Sequence, residues 1–449
     1  AFLVALALLV IGNGFFKPNI STIVGTLYGD KDPRRDAGFT IFYIGINLGA
    51  ATAPLLCGYV GEKYGWHYGF GLATIGMLIG LAVFVLPRVI AQMLILVGAL
   101  VTAAFLVALG WQENSFLFAA NAFVAAALVV SGVIAFLALA RGGIPHEAGA
   151  PPDPLKLNEK LGGWMPKSWA VYLGSLAMVP VIAMLISSNR GIVLIPASWL
   201  KQLAQSHEMG RVLGAFLEQI STPPGLLLLV IGLAALVYLV REALHSEKVE
   251  RERLFVVIIL MFFSLVFWAF FEQAGGSINL FTDRNVDRVL EARKIGSNDV
   301  GETVVLDMNQ EQLGYSQGDE VINMTVLSEA REKGALQREW TVDAEHIGMG
   351  VGGSEIPAST FQSVNPICII VMGLVFTMLW GFLGKRNLEP STTFKFALGL
   401  AQLSLGFAAI WWGARNADER GMVGAQWLIL CFFLHTTGEL CLSPVGLSM

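Results

Sequence analysis

Eleven stretches of this chain are long and apolar enough to cross a bilayer, and together they hold more than half of its residues. They lie near residues 1–27, 37–60, 66–86, 92–111, 116–140, 169–187, 224–240, 254–281, 364–384, 394–414 and 422–449. A spanning helix needs about 20 such residues, because each rises about 1.5 Å through a hydrocarbon core about 30 Å thick. Within that core every backbone N–H and C=O must be paired inside the protein, so apolar runs of this length become helices. Of the 449 residues only 14% are charged and 55% are hydrophobic, against about 25% charged in soluble domains. The chain reads as an all-α integral membrane protein whose main partner is the lipid bilayer. Its net charge of −5 gives no signal for nucleic acid. The four cysteines, Cys57, Cys368, Cys431 and Cys441, sit in apolar runs at spacings that suit neither zinc nor a disulfide framework. They read as packing residues, and no cofactor is expected.

The connections set an orientation. YGDKDPRRDAG (28–38), REALHSEKVERER (241–253) and GKRNLEPSTTFK (384–395) are short and basic, and short basic loops stay in the cytoplasm. Six spans separate the first from the second and two separate the second from the third, so one side accommodates all three. The same count places residues 282–360 outside. That segment carries fifteen Asp and Glu against seven Lys and Arg. Its runs ETVVLDM and EVINMTV read as strands between turns, so a small extramembrane cap is expected there. HEAGAPPDPLKLNEKLGGW (146–164) reads as a cytoplasmic linker between two groups of spans. Such a division fits transporters assembled from repeats. The chain opens without methionine inside one apolar run and stops inside another, so further membrane helices are expected beyond both ends.

Some spans are not plain. Lys17, in VIGNGFFKPN, follows a run with no charge before it, and a lysine at mid-membrane costs about 2.5–3.5 kcal/mol on insertion scales. It snorkels, forms a structural ion pair, or lines a water-filled cavity where its ammonium binds an anion. Glu272 in FWAFFEQAGGS and Glu439 in LHTTGELCLSPVG lie deep in two other spans. Two carboxylates and one ammonium on three helices describe a mid-depth site suited to a zwitterion, and the glutamates are natural proton carriers. Asn47 and Asn365 are either ligand contacts or interhelical hydrogen bonds. Pro18, Pro366 and Pro444 stand near Lys17, Asn365 and Glu439, and breaks in a helix at mid-membrane often line a site. His435 and Glu439 share a helix face, but no third metal ligand is visible, so a packed histidine or a proton relay remains. Trp268, one turn before Glu272, walls a cavity or packs in the core.

Taken together, GFFKPNISTIVGTLY and DPRRDAGFTIFYIGINLGA closely resemble the signature of the proton-dependent oligopeptide transporters, a branch of the major facilitator superfamily. FWAFFEQAGGS resembles that family's seventh core helix, and FQSVNPI and GELCLSPVGLS its eighth and tenth. The resemblance implies two six-helix bundles with additional helices between the halves, the chain lacking the first three and last two core helices. The parts would be 1–88 in the N-terminal bundle, 89–245 as additional helices and linker, and 246–449 in the C-terminal bundle, with the acidic loop at 282–360. It implies uptake of di- and tripeptides with protons, by a monomeric multi-pass protein of the bacterial inner membrane. Lys17 and Asn47 would meet the peptide carboxyl end and backbone, Asn365 the backbone, Glu439 the amino terminus, and Trp268 the pocket wall. Glu272 would couple protons. The family's first-helix E-x-x-E-R motif is not in the chain, and Phe271 stands where some relatives have a second glutamate. Rival readings are the same fold moving amino acids, nitrate or drugs, an intramembrane enzyme, or a channel. Protease motifs and a repeated filter sequence are not visible.

Overall fold

The computed structural model describes residues 1–28, 35–111, 114–141, 153–188, 195–206, 208–290 and 292–448. In chain order the helices are α1 (Phe2–Thr26), α2 (Arg35–Ala53), α3 (Tyr59–Tyr64), α4 (Trp66–Val85), α5 (Arg88–Trp111), α6 (Ser115–Ala140) and a short α7 (Pro154–Asn158). They continue as α8 (Lys167–Ser188), α9 (Ala197–Ser206), α10 (Glu208–Ile220), α11 (Pro223–His245), α12 (Lys248–Phe271) and α13 (Ser277–Asn285). The last four are α14 (Met324–Lys333), α15 (Val364–Lys385), α16 (Thr392–Arg415) and α17 (Ala425–Ser448). Among the described residues, eleven helical stretches are long and apolar enough to span a membrane, and they match the eleven predicted runs. Helices α9 and α10 fall between the predicted spans at 169–187 and 224–240.

Local chemistry sets several helix starts. Asn114 accepts from the Leu117 N–H at 2.9 Å, Thr222 from Gly225 at 3.3 Å and Ser391 from Phe394 at 3.3 Å. Each satisfies an N–H that has no partner within its own helix. Pro223 follows Thr222 at the first helical position, where a missing N–H costs nothing.

The breaks differ from those expected at prolines. Helix α1 runs through Pro18. Pro366 falls in the first turn of α15, entered through a 3₁₀ turn at Ala358–Ser363, so it marks a start rather than a mid-helix kink. The true interruption is at Glu272. There α12 ends, a 3₁₀ turn covers Glu272–Gly275, and α13 begins after Gly276. A second irregularity follows Pro54: its absent N–H loosens the ladder, and residues Pro54–Gly58 form a π turn between α2 and α3.

Two units emerge. The first contains residues 1–35 and 145–264, the second 36–144 and 265–449, the division falling inside α12. In the first, α1 packs along α8, α8 meets α11, and α9 and α10 form a hairpin. In the second, α5 and α6 pack together and join α2 through a core of Leu48, Leu55 and Tyr59 against Leu106, Leu117 and Val124. Helices α16 and α17 pair closely, and α15 lies against α17. Gly399 and Gly438 permit this, since a Cβ on Gly399 would lie 2.9 Å from the Gly438 carbonyl oxygen.

The acidic segment after α13 folds around its own core, with Trp340, Ile322, Leu327 and Met349 fully buried. Strand Thr303–Asp307 pairs antiparallel with Gln337–Thr341, as ETVVLDM predicted. EVINMTV is strand only at Glu320–Val321. Asn323 accepts from the Thr325 and Val326 N–H groups at 2.9 and 3.1 Å and starts α14, so a cap overrides the β propensity of the residues after it. This body is tied to the turn between α16 and α17. Val423–Gly424 pairs in parallel with Val286–Asp287, and Arg420 reaches Asp287 at 2.7 Å and Glu311 at 2.9 Å. Of the basic loop at 28–38, residues 29–34 lie outside the described residues. Residues 146–152 of the linker do as well, and its remainder carries α7 and the hairpin Lys160–Leu161/Met165–Pro166.

Candidate functional site

Glu439 is the centre of the best-defined polar cluster among the apolar helices. It lies on α17, is buried, and accepts from the Tyr43 hydroxyl at 2.6 Å through Oε1 and from the Asn365 amide at 3.3 Å through Oε2. The same amide nitrogen donates to Thr436 Oγ1 at 2.9 Å, and that hydroxyl donates to the Phe432 carbonyl at 2.7 Å. Thr436 stands one turn before Glu439, so one face of α17 presents both. Asn365 sits at the start of α15 because the 3₁₀ turn delivers the chain there.

Asn47 is buried one turn after Tyr43 on α2, and its amide donates to the Tyr43 carbonyl at 2.9 Å. It therefore supports the backbone that carries Tyr43. Glu272, exposed at the end of α12, is near enough to Glu439 for like-charge repulsion. Trp268 stands edge-on to Phe267 and Phe271, with ring centroids 5.5 and 5.2 Å away. Phe271 in turn lies 6.1 Å from the ring of His435. His435 is a packed residue, one of the two alternatives its sequence position allows: it is buried against Phe407, and a Cβ on Gly406 would sit 2.4 Å from its ring. Among the described residues there is no cluster of three His, Cys, Asp or Glu side chains able to hold a metal.

Of the six predicted site residues, the structure joins Asn365 directly to Glu439, places Asn47 behind Tyr43, and sets Glu272 within electrostatic reach. Trp268 belongs to the aromatic cluster on α12. Lys17 is exposed on α1, in the first unit, whereas the other five belong to the second. Tyr43 and Thr436 are not among the residues that the sequence singles out. Tyr43 has a visible signal all the same, since FYIGIN puts it on the same helix face as Asn47.

The description "POT family" belongs to the family model that matches residues 1–131 and 336–449. The chain is a member of the POT family. It is 28% identical over its full length to the uncharacterized transporter YclF of Bacillus subtilis, of which it covers 61%. It is equally similar, 28% with the same coverage, to the peptide transporter YePEPT of Yersinia enterocolitica. A di-/tripeptide transporter of Lactococcus lactis is 25% identical over 99% of the chain and 62% of that relative. Among solved structures, a peptide transporter POT crystallised with sulfate superimposes with a TM-score of 0.52 at 26% identity, covering 98% of this chain and 60% of that one. This POT family chain thus spans about three-fifths of the length of these relatives. Fold and relatives are those of multi-pass membrane transporters, not of enzymes.

Proposed function

We propose that the transporter containing this chain takes up di- and tripeptides together with protons, by alternating access of two helical halves. The observation that carries this reading is the Glu439 carboxylate. It is buried, and its hydrogen-bond donors, Tyr43 and Asn365, are neutral. A buried carboxylate is costly without a positive partner, and a peptide's terminal ammonium supplies one. Asn365 then lies beside the peptide backbone, Lys17 receives the carboxyl end, and Trp268 borders the pocket. The names of the Yersinia and Lactococcus relatives support the substrate class.

Glu272 is the proposed proton carrier. Two neighbouring carboxylates repel when both are ionised. A proton on Glu272 relieves that repulsion and lets Glu439 stay ionised for the peptide ammonium, so proton and peptide binding are linked energetically. The acidic segment at 282–360 is proposed to lie outside the cytoplasm, a reading its charge supports. An exposed cysteine at Ser328 should then react with an impermeant thiol reagent on intact cells.

The test is uptake of labelled dialanine into proteoliposomes holding the full-length transporter. Wild type should accumulate dialanine under an imposed proton gradient. Glu272→Gln should still exchange it in counterflow but no longer accumulate it. Failure of dialanine, with uptake of an amino acid or nitrate instead, would replace the substrate assignment. Undiminished accumulation by Glu272→Gln would move the proton site elsewhere.

A further inference from the structure

The stretch APLLCGYVGEK, residues 53–63, brings α3 against the residues that lead from the acidic body into α15. The π turn that follows Pro54 ends at Gly58. A Cβ on Gly58 would lie 2.8 Å from Ser359 Oγ and 3.0 Å from Ser359 Cβ, so glycine is what allows the two segments this approach. One turn later the Glu62 carboxylate reaches two successive backbone amides. Its Oε2 accepts from the Ala358 N–H at 3.1 Å and its Oε1 from the Ser359 N–H at 2.9 Å. These are the first N–H groups of the 3₁₀ turn Ala358–Ser363, which have no partner within that turn. A carboxylate is their strongest acceptor.

The same helical stretch makes its other tie at Tyr43, nineteen residues before Glu62, which is about 28 Å along a helix. One tie is therefore at the candidate site and the other at the end next to the acidic body. The junction also holds a cost. Ser359 Oγ and Thr360 Oγ1 are buried and have no hydrogen-bond partner among the described residues. Separation of α3 from this turn would expose the Ser359 hydroxyl, which packs against Gly58, to water, so the closed contact carries a penalty of its own.

We infer that Glu62 is a latch residue of the transport cycle, holding the end of the bundle beside the acidic body closed by its grip on the Ala358 and Ser359 amides. The inference rests on the alternating-access reading above, in which α2–α3 and α15–α17 belong to opposite halves. When that end opens, the carboxylate must release both amides and take water in their place. Glu62 is exposed, so the exchange needs no burial of charge. Glutamine at this position keeps the length but loses the negative charge and one of the two accepting oxygens, so the two amides no longer each have a charged acceptor of their own.

The experiment uses the purified full-length transporter with its native cysteines replaced and Ser359→Cys as the reporter. The Ser359 side-chain oxygen is buried in the closed contact, so a soluble maleimide reaches this position only when the end opens. E62Q should raise the labelling rate about tenfold, the effect of losing one charge-assisted hydrogen bond. K63Q, which alters the neighbouring Lys63–Tyr59 contact, should leave the rate unchanged. Unfolding temperatures measured in parallel should agree between E62Q and its parent. Equal labelling with and without E62Q would overturn the inference, as would a rise shared by K63Q. Labelling requires neither peptide nor proton gradient, so failure of the substrate reading and failure of the latch give different results.

Discussion

Tyr43 on α2 donates its phenolic hydrogen to Glu439 on α17 over 2.6 Å, joining residues 396 positions apart. The bond fixes the orientation of a carboxylate that has accepting capacity left for an ammonium. Tyr43→Phe removes the donor without opening a large cavity. A hydrogen bond to a charged group is worth about 1.5–3 kcal/mol, so KM for dialanine should rise roughly tenfold or more. N-acetylated dialanine, with no ammonium to place, should show little further loss. An unchanged KM for dialanine would mean that Tyr43 plays no part in presenting Glu439.

Asn47 acts on the same bond from behind, through the Tyr43 carbonyl. Asn47→Leu keeps the approximate volume and loses the amide. Its effect on KM should overlap with that of Tyr43→Phe, because the two changes disturb one structural unit. The double variant should fall clearly short of the product of the single effects. A fully multiplicative result in the same uptake assay would instead assign Asn47 its own contact with substrate.

Arg420, held within the α16–α17 turn by Asp418, anchors the acidic body to that turn through Asp287 and Glu311. Burial opposes its charge, but the bonds to Asp418 and Glu311 outweigh it and hold its pKa above the usual guanidinium value. It therefore remains a cation at every pH of interest. Arg420→Met should weaken docking by about 1–3 kcal/mol, the scale of losing charged hydrogen bonds. Limited trypsin digestion should then cut within residues 286–357 at lower protease concentration than in wild type.

Asp299 gives this body a dependence on pH. The Gly296 N–H at 2.7 Å, and then the Arg293 guanidinium, hold its carboxyl below the ordinary range. A depressed folded pKa adds stability above the unfolded value, about 3.9. That stability is lost as pH falls through the lower folded value. Hydrogen exchange at the Gly296 amide should accelerate over this acidic window relative to neighbouring amides. Asp299→Asn should abolish that specific pH response.

What the sequence determined by itself is local and one-dimensional. Hydrophobic length set the eleven spans, and the motifs around Lys17, Asn47, Glu272, Asn365 and Glu439 were enough to point to the POT family. Burial in a bilayer demands the same apolar run whatever its neighbours do, so such features need no tertiary context. Tertiary structure decided which polar groups meet. Nothing in FYIGIN states that Tyr43 will face a glutamate on α17, and nothing in GEK states that Glu62 will hold the amides of Ala358 and Ser359. Those pairings depend on how the helices cross, on the π turn after Pro54, and on glycines at Gly58, Gly399 and Gly438 that let backbones approach. The same holds for the helix breaks. Proline marks where a hydrogen bond is missing, but whether the helix bends there depends on the partners packed around it. Here Pro18 is carried within α1, and the interruption falls instead at Glu272, beside Gly275 and Gly276.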